Sequence, residues 1–132
     1  MKNYHTTKTT VSFIRYNLVF CPRYRRQIFT DTQLCAAFTE TLHSIRDEMG
    51  LLHIEANFGV DYVHLIVHAL PQHSAYDIVK KIRVITGRKI KEDFPQYRSM
   101  EVVWTRNFLA TTKEVLSQED IDAFVQLQRK RG

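Results

Sequence analysis

The residues able to do chemistry fall in four places. Tyr62, His64, Ile66 and His68 alternate through a short apolar run, so in a strand they share one face. His64 and His68 would lie roughly 13 Å apart along such a strand, too far to share one ion. Arg23-Tyr24-Arg25-Arg26 gathers three cations around an aromatic ring. The stretch 74–94 carries Lys80, Lys81, Arg83, Arg88, Lys89 and Lys91, which suits a phosphate track. Arg129-Lys130-Arg131 adds a terminal basic cluster. Tyr24, Tyr62 and Trp104 are the rings available to stack unpaired bases, although Trp104 suits a core equally well.

The composition agrees with a partner of negative charge. The chain has 132 residues, enough for one domain spanning 1–132 and cramped for two. Nineteen Lys and Arg stand against 14 Asp and Glu, for a net charge of +5. The pI is near 9.4, so polyanions are plausible partners. A hydrophobic fraction of 44% excludes wholesale disorder. Cys21 and Cys35 have no metal-type spacing and read as reduced thiols. No apolar run is long enough to span a bilayer, and the first ten residues lack a signal-peptide core, so the expected location is cytoplasmic with no membrane partner.

The elements that must position these residues follow from periodicity. Val11–Phe20 predicts a strand with Ile14, Tyr16, Leu18 and Phe20 on one face, stopped by Cys21-Pro22. Thr30–Met49 predicts a helix, with Thr30 and Gln33 as a capping box and Gly50 as its stop. His53–Val60 and Val63–Leu70 predict paired strands around a Gly59-Val60-Asp61 turn. Ser74 to about Phe94 predicts a second helix capped by Ser74, with Gly87 as a weak point. Glu101–Ala110 predicts a last strand around Trp104, and Ser117–Gln128 a last helix. The order β-α-β-β-α-β-α is an α+β, ferredoxin-like split βαβ sandwich: an antiparallel sheet with two helices on one face, plus a C-terminal helix.

Several segments resemble one family in the right order. Tyr16-Asn17-Leu18-Val19-Phe20-Cys21-Pro22-Arg23-Tyr24-Arg25-Arg26 is similar to the "Y-H-x-V-F-C-P-K-Y-R-R" of single-tyrosine transposases of the insertion-sequence-200 type. These are HUH-superfamily endonucleases, and they include the REP-associated tyrosine transposases. Asp61-Tyr62-Val63-His64-Leu65-Ile66-Val67 is similar to their "D-H-V-H-L-L-V". Trp104 and Phe108 fit "W-S-x-x-Y-F", and Ile121 to Gln128 sits at "Y-I-x-x-Q". The resemblance covers about residues 11–128.

It implies a mechanism and a partner. Two strand histidines and a glutamine bind a divalent metal, Mg or Mn, which acts on the scissile phosphate as a Lewis acid. A tyrosine attacks and forms a 5′-phosphotyrosine link to single-stranded DNA. Such proteins are typically homodimers in which the tyrosine helix serves the partner's site. This chain departs at the chemistry. Tyr62 stands at the first histidine, and Phe124 at the nucleophile, where it has no hydroxyl and is inactive. His64 and Gln128 remain as residual metal positions, a poor set for a hard cation, so the metal is expected to be weak or absent.

The resulting expectation is a catalytically impaired transposase relative that binds single-stranded DNA hairpins. Arg23, Tyr24, Arg25, Arg26, Lys80, Lys81, Arg83 and Arg88 would contact nucleic acid. One rival is an active transposase with a non-standard nucleophile near Tyr62 and His64. The other is an RNA-binding regulator. The bland readings are that Tyr62 packs, that His64 is an ordinary strand histidine, and that Gln128 is solvated on an exposed helical end.

Overall fold

The computed structural model describes residues 3–131, with side chains through Gln128. A small ribbon pairs β1 (His5–Thr6) with β2 (Val11–Ser12). The main sheet contains β3 (Ile14–Phe20), β4 (His53–Phe58), β5 (Val63–Ala69) and β6 (Leu109–Thr111). Its order is β4-β5-β3-β6, with every neighbour antiparallel. That is the split βαβ arrangement.

Alternation along the strands makes the two faces different. Leu18 and Phe20 of β3 join Val63, Leu65 and Val67 of β5 on one face. Two helices cover it: α1 (Thr32–Met49) through Leu34, Phe38, Leu42 and Ile45, and α2 (Ala75–Asp93) through Ile78, Val79, Ile82 and Ile90. These buried stripes recur every three or four residues, as one side of a helix requires. The other face belongs to α3 (Gln118–Arg131), whose Ile121 and Val125 pack on Val19 and Cys21. No described helix is long and apolar enough to cross a membrane.

Three local expectations change. Helix α1 is capped by Asp31, whose Oδ1 accepts from the Gln33 and Leu34 amides at 2.9 and 3.2 Å. Thr30 is taken by a preceding 3-10 turn, Ile28–Thr30, which buries Ile28 and Phe29. The stretch Val11–Phe20 breaks at Phe13, because β2 pairs with β1 rather than with the main sheet. The last strand is only Leu109–Thr111. Around Trp104 there is a single bridge to Pro22, since proline offers no N–H to extend the ladder.

That bridge seats Trp104 in the core, 4% exposed and packed on Phe20, Phe29 and Phe38 at ring distances of 5.0, 6.0 and 5.9 Å. It is therefore not a platform for bases. Gly87 of α2 faces this ring, where a Cβ would stand 3.4 Å from the indole nitrogen, an ordinary contact.

Candidate functional site

The outer face of the sheet carries the chemistry-bearing residues. Asn17 of β3 is 1% exposed. Its Nδ2 donates to the Lys113 carbonyl at 2.8 Å, which fixes the amide's orientation. Its Oδ1 is then the acceptor facing His64, and His64 Nε2–H donates to it at 2.8 Å. This leaves Nδ1 as the imidazole's lone pair. Burial holds His64 below the usual histidine value, with Glu55 opposing and Arg15 reinforcing the shift. His68 is lowered too, first by burial and then by His53 and Arg15, against Glu55.

The sign of the pH effect follows. With folded values below 6.5, the unfolded chain binds more protons in that window, so stability is lost as pH falls through the folded values. Histidine NMR titration is expected to give His64 a midpoint under 6.5, with the urea midpoint falling over the same range. A His64 midpoint above 6.5 would mean that burial does not dominate at this ring.

Tyr62 lies just before β5, under α3. It packs against the buried cluster of Val19, Cys21, Ile121 and Val125, and its hydroxyl accepts from Gln118 Nε2 at 3.3 Å. Gly59 makes room for the ring: a Cβ there would collide with it, and the Gly59 amide donates to the Tyr62 carbonyl at 2.9 Å. Phe124 lines a groove of about 400 Å³ on the β6 side, with Leu109, Leu116 and Leu127. Strand β3 lies between that flank and His64 on β5.

Gln128 is 3% exposed rather than solvated, because it continues the buried stripe of Ile121 and Val125. It lines a different cavity, with Arg23 and Arg106. Ten residues of α3 separate it from Gln118, which touches Tyr62, so roughly 15 Å of helix intervenes. Tyr62 and Phe124 thus share one apolar cluster, while His64 and Gln128 point into different surroundings. Among the described residues no three His, Cys, Asp or Glu gather as ligands. The donor set within one chain does not fit a divalent metal, which takes several oxygens in a closed shell.

The cations also divide. Arg83 Nη1 donates to the Thr105 and Arg106 carbonyls at 2.7 and 2.8 Å, and its guanidinium lies over Phe108. Lys81 pairs with Glu48 of α1 at 2.7 Å. Lys80 and Arg88 are exposed. The face of α2 is therefore not one track. The connector is different: Tyr24 is 62% exposed, with Arg25 and Arg26 also outside and Arg23 over the Tyr24 ring at 5.2 Å. Tyr24 and Arg25 hold left-handed backbone, φ 62° and 53°, a costly conformation for non-glycine residues that is enriched at functional sites.

Two features escaped the sequence reading. Asn17 stands where the family motif has histidine, and a polar residue inside an apolar strand was the available signal. The exposed Tyr4 and Phe13 continue into His68 and His53 as a ladder of rings spaced 6.1, 5.7 and 5.5 Å. That ladder depends on the β1–β2 ribbon, which two-residue strands do not announce.

The family model described as "Transposase IS200 like" matches residues 10–128. The chain belongs to the IS200-like transposases. Among curated members of comparable sequence, ISDra2 transposase TnpA of Deinococcus radiodurans is 29% identical over 94 residues. That match covers 71% of this chain and 65% of the relative, so under two thirds of the relative's length is spanned. Two solved structures share the fold. One, assigned as a transposase from Deinococcus radiodurans, has a TM-score of 0.84 at 24% identity, covering 94% of this chain and 97% of its own. The other is a REP-associated tyrosine transposase bound to a REP hairpin, with a TM-score of 0.53 at 13% identity, covering 92% and 67%. Within this IS200-like fold, α3 of the described chain packs on its own sheet.

Proposed function

We propose that this IS200-like transposase binds single-stranded DNA hairpins and does not cut them by the family route. The exposed Arg23–Arg26 connector carries the binding half of the reading. Tyr24 and Arg25 hold left-handed backbone, and Tyr24 and two guanidiniums stand in solvent past the end of β3. Cations there would grip phosphates while Tyr24 stacks an unpaired base, and the Tyr4–Phe13–His68 ladder offers further ring surface. The solved relative bound to a REP hairpin supports hairpin DNA as the partner class. The impaired half rests on Phe124 in its apolar groove and on His64 engaged by Asn17. A divalent metal has no strong place in this reading. The groove around Phe124, with Leu127 46% exposed beside edge strand β6, supports association of two copies.

Sedimentation velocity with a fluorescent DNA hairpin bearing a short 5′ single-stranded flank tests this. The hairpin is expected to move with two protein copies and to bind about tenfold tighter than a blunt duplex of the same stem, a difference of about 1.4 kcal/mol. Equal binding to the duplex would overturn the hairpin assignment. Tighter binding to the RNA counterpart would favour a regulator that reads the 2′-hydroxyl.

A further inference from the structure

A groove of about 600 Å³ opens at the end of α3, lined by Arg23, Glu101, Trp104, Arg106, Asn107 and Gln128. Gln128 is nine-tenths buried and more, and its Nε2 is sealed from solvent with no hydrogen-bond partner among the described residues. A buried amide left unpaired costs the fold its desolvation, and native structures rarely tolerate that without a use. Nothing in the packing of α3 requires it. Methionine would fill the same place on the Ile121–Val125 stripe without the penalty.

The surroundings select an occupant. Arg23 and Arg106 bring positive charge, and neither forms an ion pair among the described residues. A bare anion on Gln128 fits poorly, because this is the last turn of α3, where carbonyl ends carry partial negative charge, and Glu101 also faces the groove. A neutral base meets no such opposition. A primary amide matches the adjacent donor and acceptor of a base edge. We infer that the groove receives one unpaired nucleotide of a single strand, with its flanking phosphates on Arg23 and Arg106 and its base edge on the Gln128 amide, which turns out of its sealed position to meet it. The inference rests on the single-strand-binding reading above. It gives Gln128 a role in recognition rather than in holding metal.

The test uses Gln128→Met and two probes at low salt: a random-sequence 12-nucleotide DNA and an abasic 12-mer with the same phosphates. Fluorescence anisotropy is expected to show the variant losing about tenfold on the base-bearing strand and nothing on the abasic one, as loss of one base hydrogen bond requires. Thermal unfolding of the variant is expected at or above the wild-type temperature, which excludes a folding defect. Equal losses on both probes would assign Gln128 to a phosphate and overturn the base pocket. Unchanged binding to both would overturn the site altogether. If the wild type binds the random strand in a Gln128-dependent way yet shows no hairpin preference, the pocket stands and the hairpin assignment falls. Hairpin binding that is intact in Gln128→Met, with both short probes unaffected, leaves the hairpin and removes the pocket.

Discussion

Incubated with a labelled DNA hairpin and Mg²⁺ or Mn²⁺, the wild-type chain is expected to give no covalent protein–DNA band on a denaturing gel. A phenyl ring has no oxygen with which to attack phosphorus, and Phe124 is the residue that the family resemblance sets at the nucleophile position. Removing a nucleophile from a well-studied hydrolase costs about 10⁶-fold in turnover, which is about 8 kcal/mol of barrier. The same loss here would put cleavage below detection. Replacing the hydroxyl alone should not recover it. In Phe124→Tyr the new hydroxyl, whether it faces its own sheet or that of a second copy, would meet a His64 with no histidine two residues before it on the same face. His64 would still donate to Asn17, and its neighbour on the same face would still be Tyr62. The band is therefore expected to be absent from Phe124→Tyr as well. A wild-type band abolished by Tyr62→Phe would reverse the conclusion and make Tyr62 a relocated nucleophile. Its hydroxyl currently accepts from Gln118 beneath α3.

How far the sequence could reach is clearest in particular residues. Alternation placed Ile14, Tyr16, Leu18 and Phe20 on one face of a strand, and β3 turns that side toward α1 and α2. Burial on one side of a strand is a local, period-two signal, so one chain suffices to read it. Ser74 and Ser117 were readable for the same reason: each caps the amide three residues on, at 3.0 and 3.1 Å. Asp31 was missed because Thr30 offers the same chemistry one residue earlier. The choice between them was made by the buried Ile28–Phe29 turn, a tertiary matter. The site was harder. The cations of α2 look alike in sequence, yet Lys81 faces Glu48 of α1 and Arg83 faces the 105–106 carbonyls, partners 33 and 22 residues away. Gln128 looked like a solvated helix end, because nothing in its neighbours announces that α3 lies on the sheet through that side.

Those same partners set the expected salt response of DNA binding, the second large effect. Seven cations with described side chains were candidates, Arg23, Arg25, Arg26, Lys80, Lys81, Arg83 and Arg88, while the Arg129-Lys130-Arg131 cluster lies outside the described side chains. Lys81 is paired with Glu48, and Arg83 is turned onto its own backbone, which leaves five for phosphates. Each phosphate neutralised contributes about 0.7 to the logarithmic salt slope on single strands and about 0.9 on duplex. With Arg106 of the Gln128 groove as a sixth contact, the predicted slope is roughly −4.2 to −5.4, a loss of about 300- to 1,800-fold between 50 and 200 mM salt. Arg25→Gln is expected to flatten the slope by nearly one, while affinity falls on every sequence alike. Arg83→Gln should leave the slope alone and lower the unfolding midpoint instead, because its guanidinium ties α2 to the Thr105–Arg106 backbone. Filter binding across a salt series, with both variants beside the wild type, separates the two roles. A slope that Arg25→Gln leaves unchanged would remove the Arg23–Arg26 connector from the interface. One that Arg83→Gln flattens would mean that Arg83 releases its carbonyls to take a phosphate when DNA arrives.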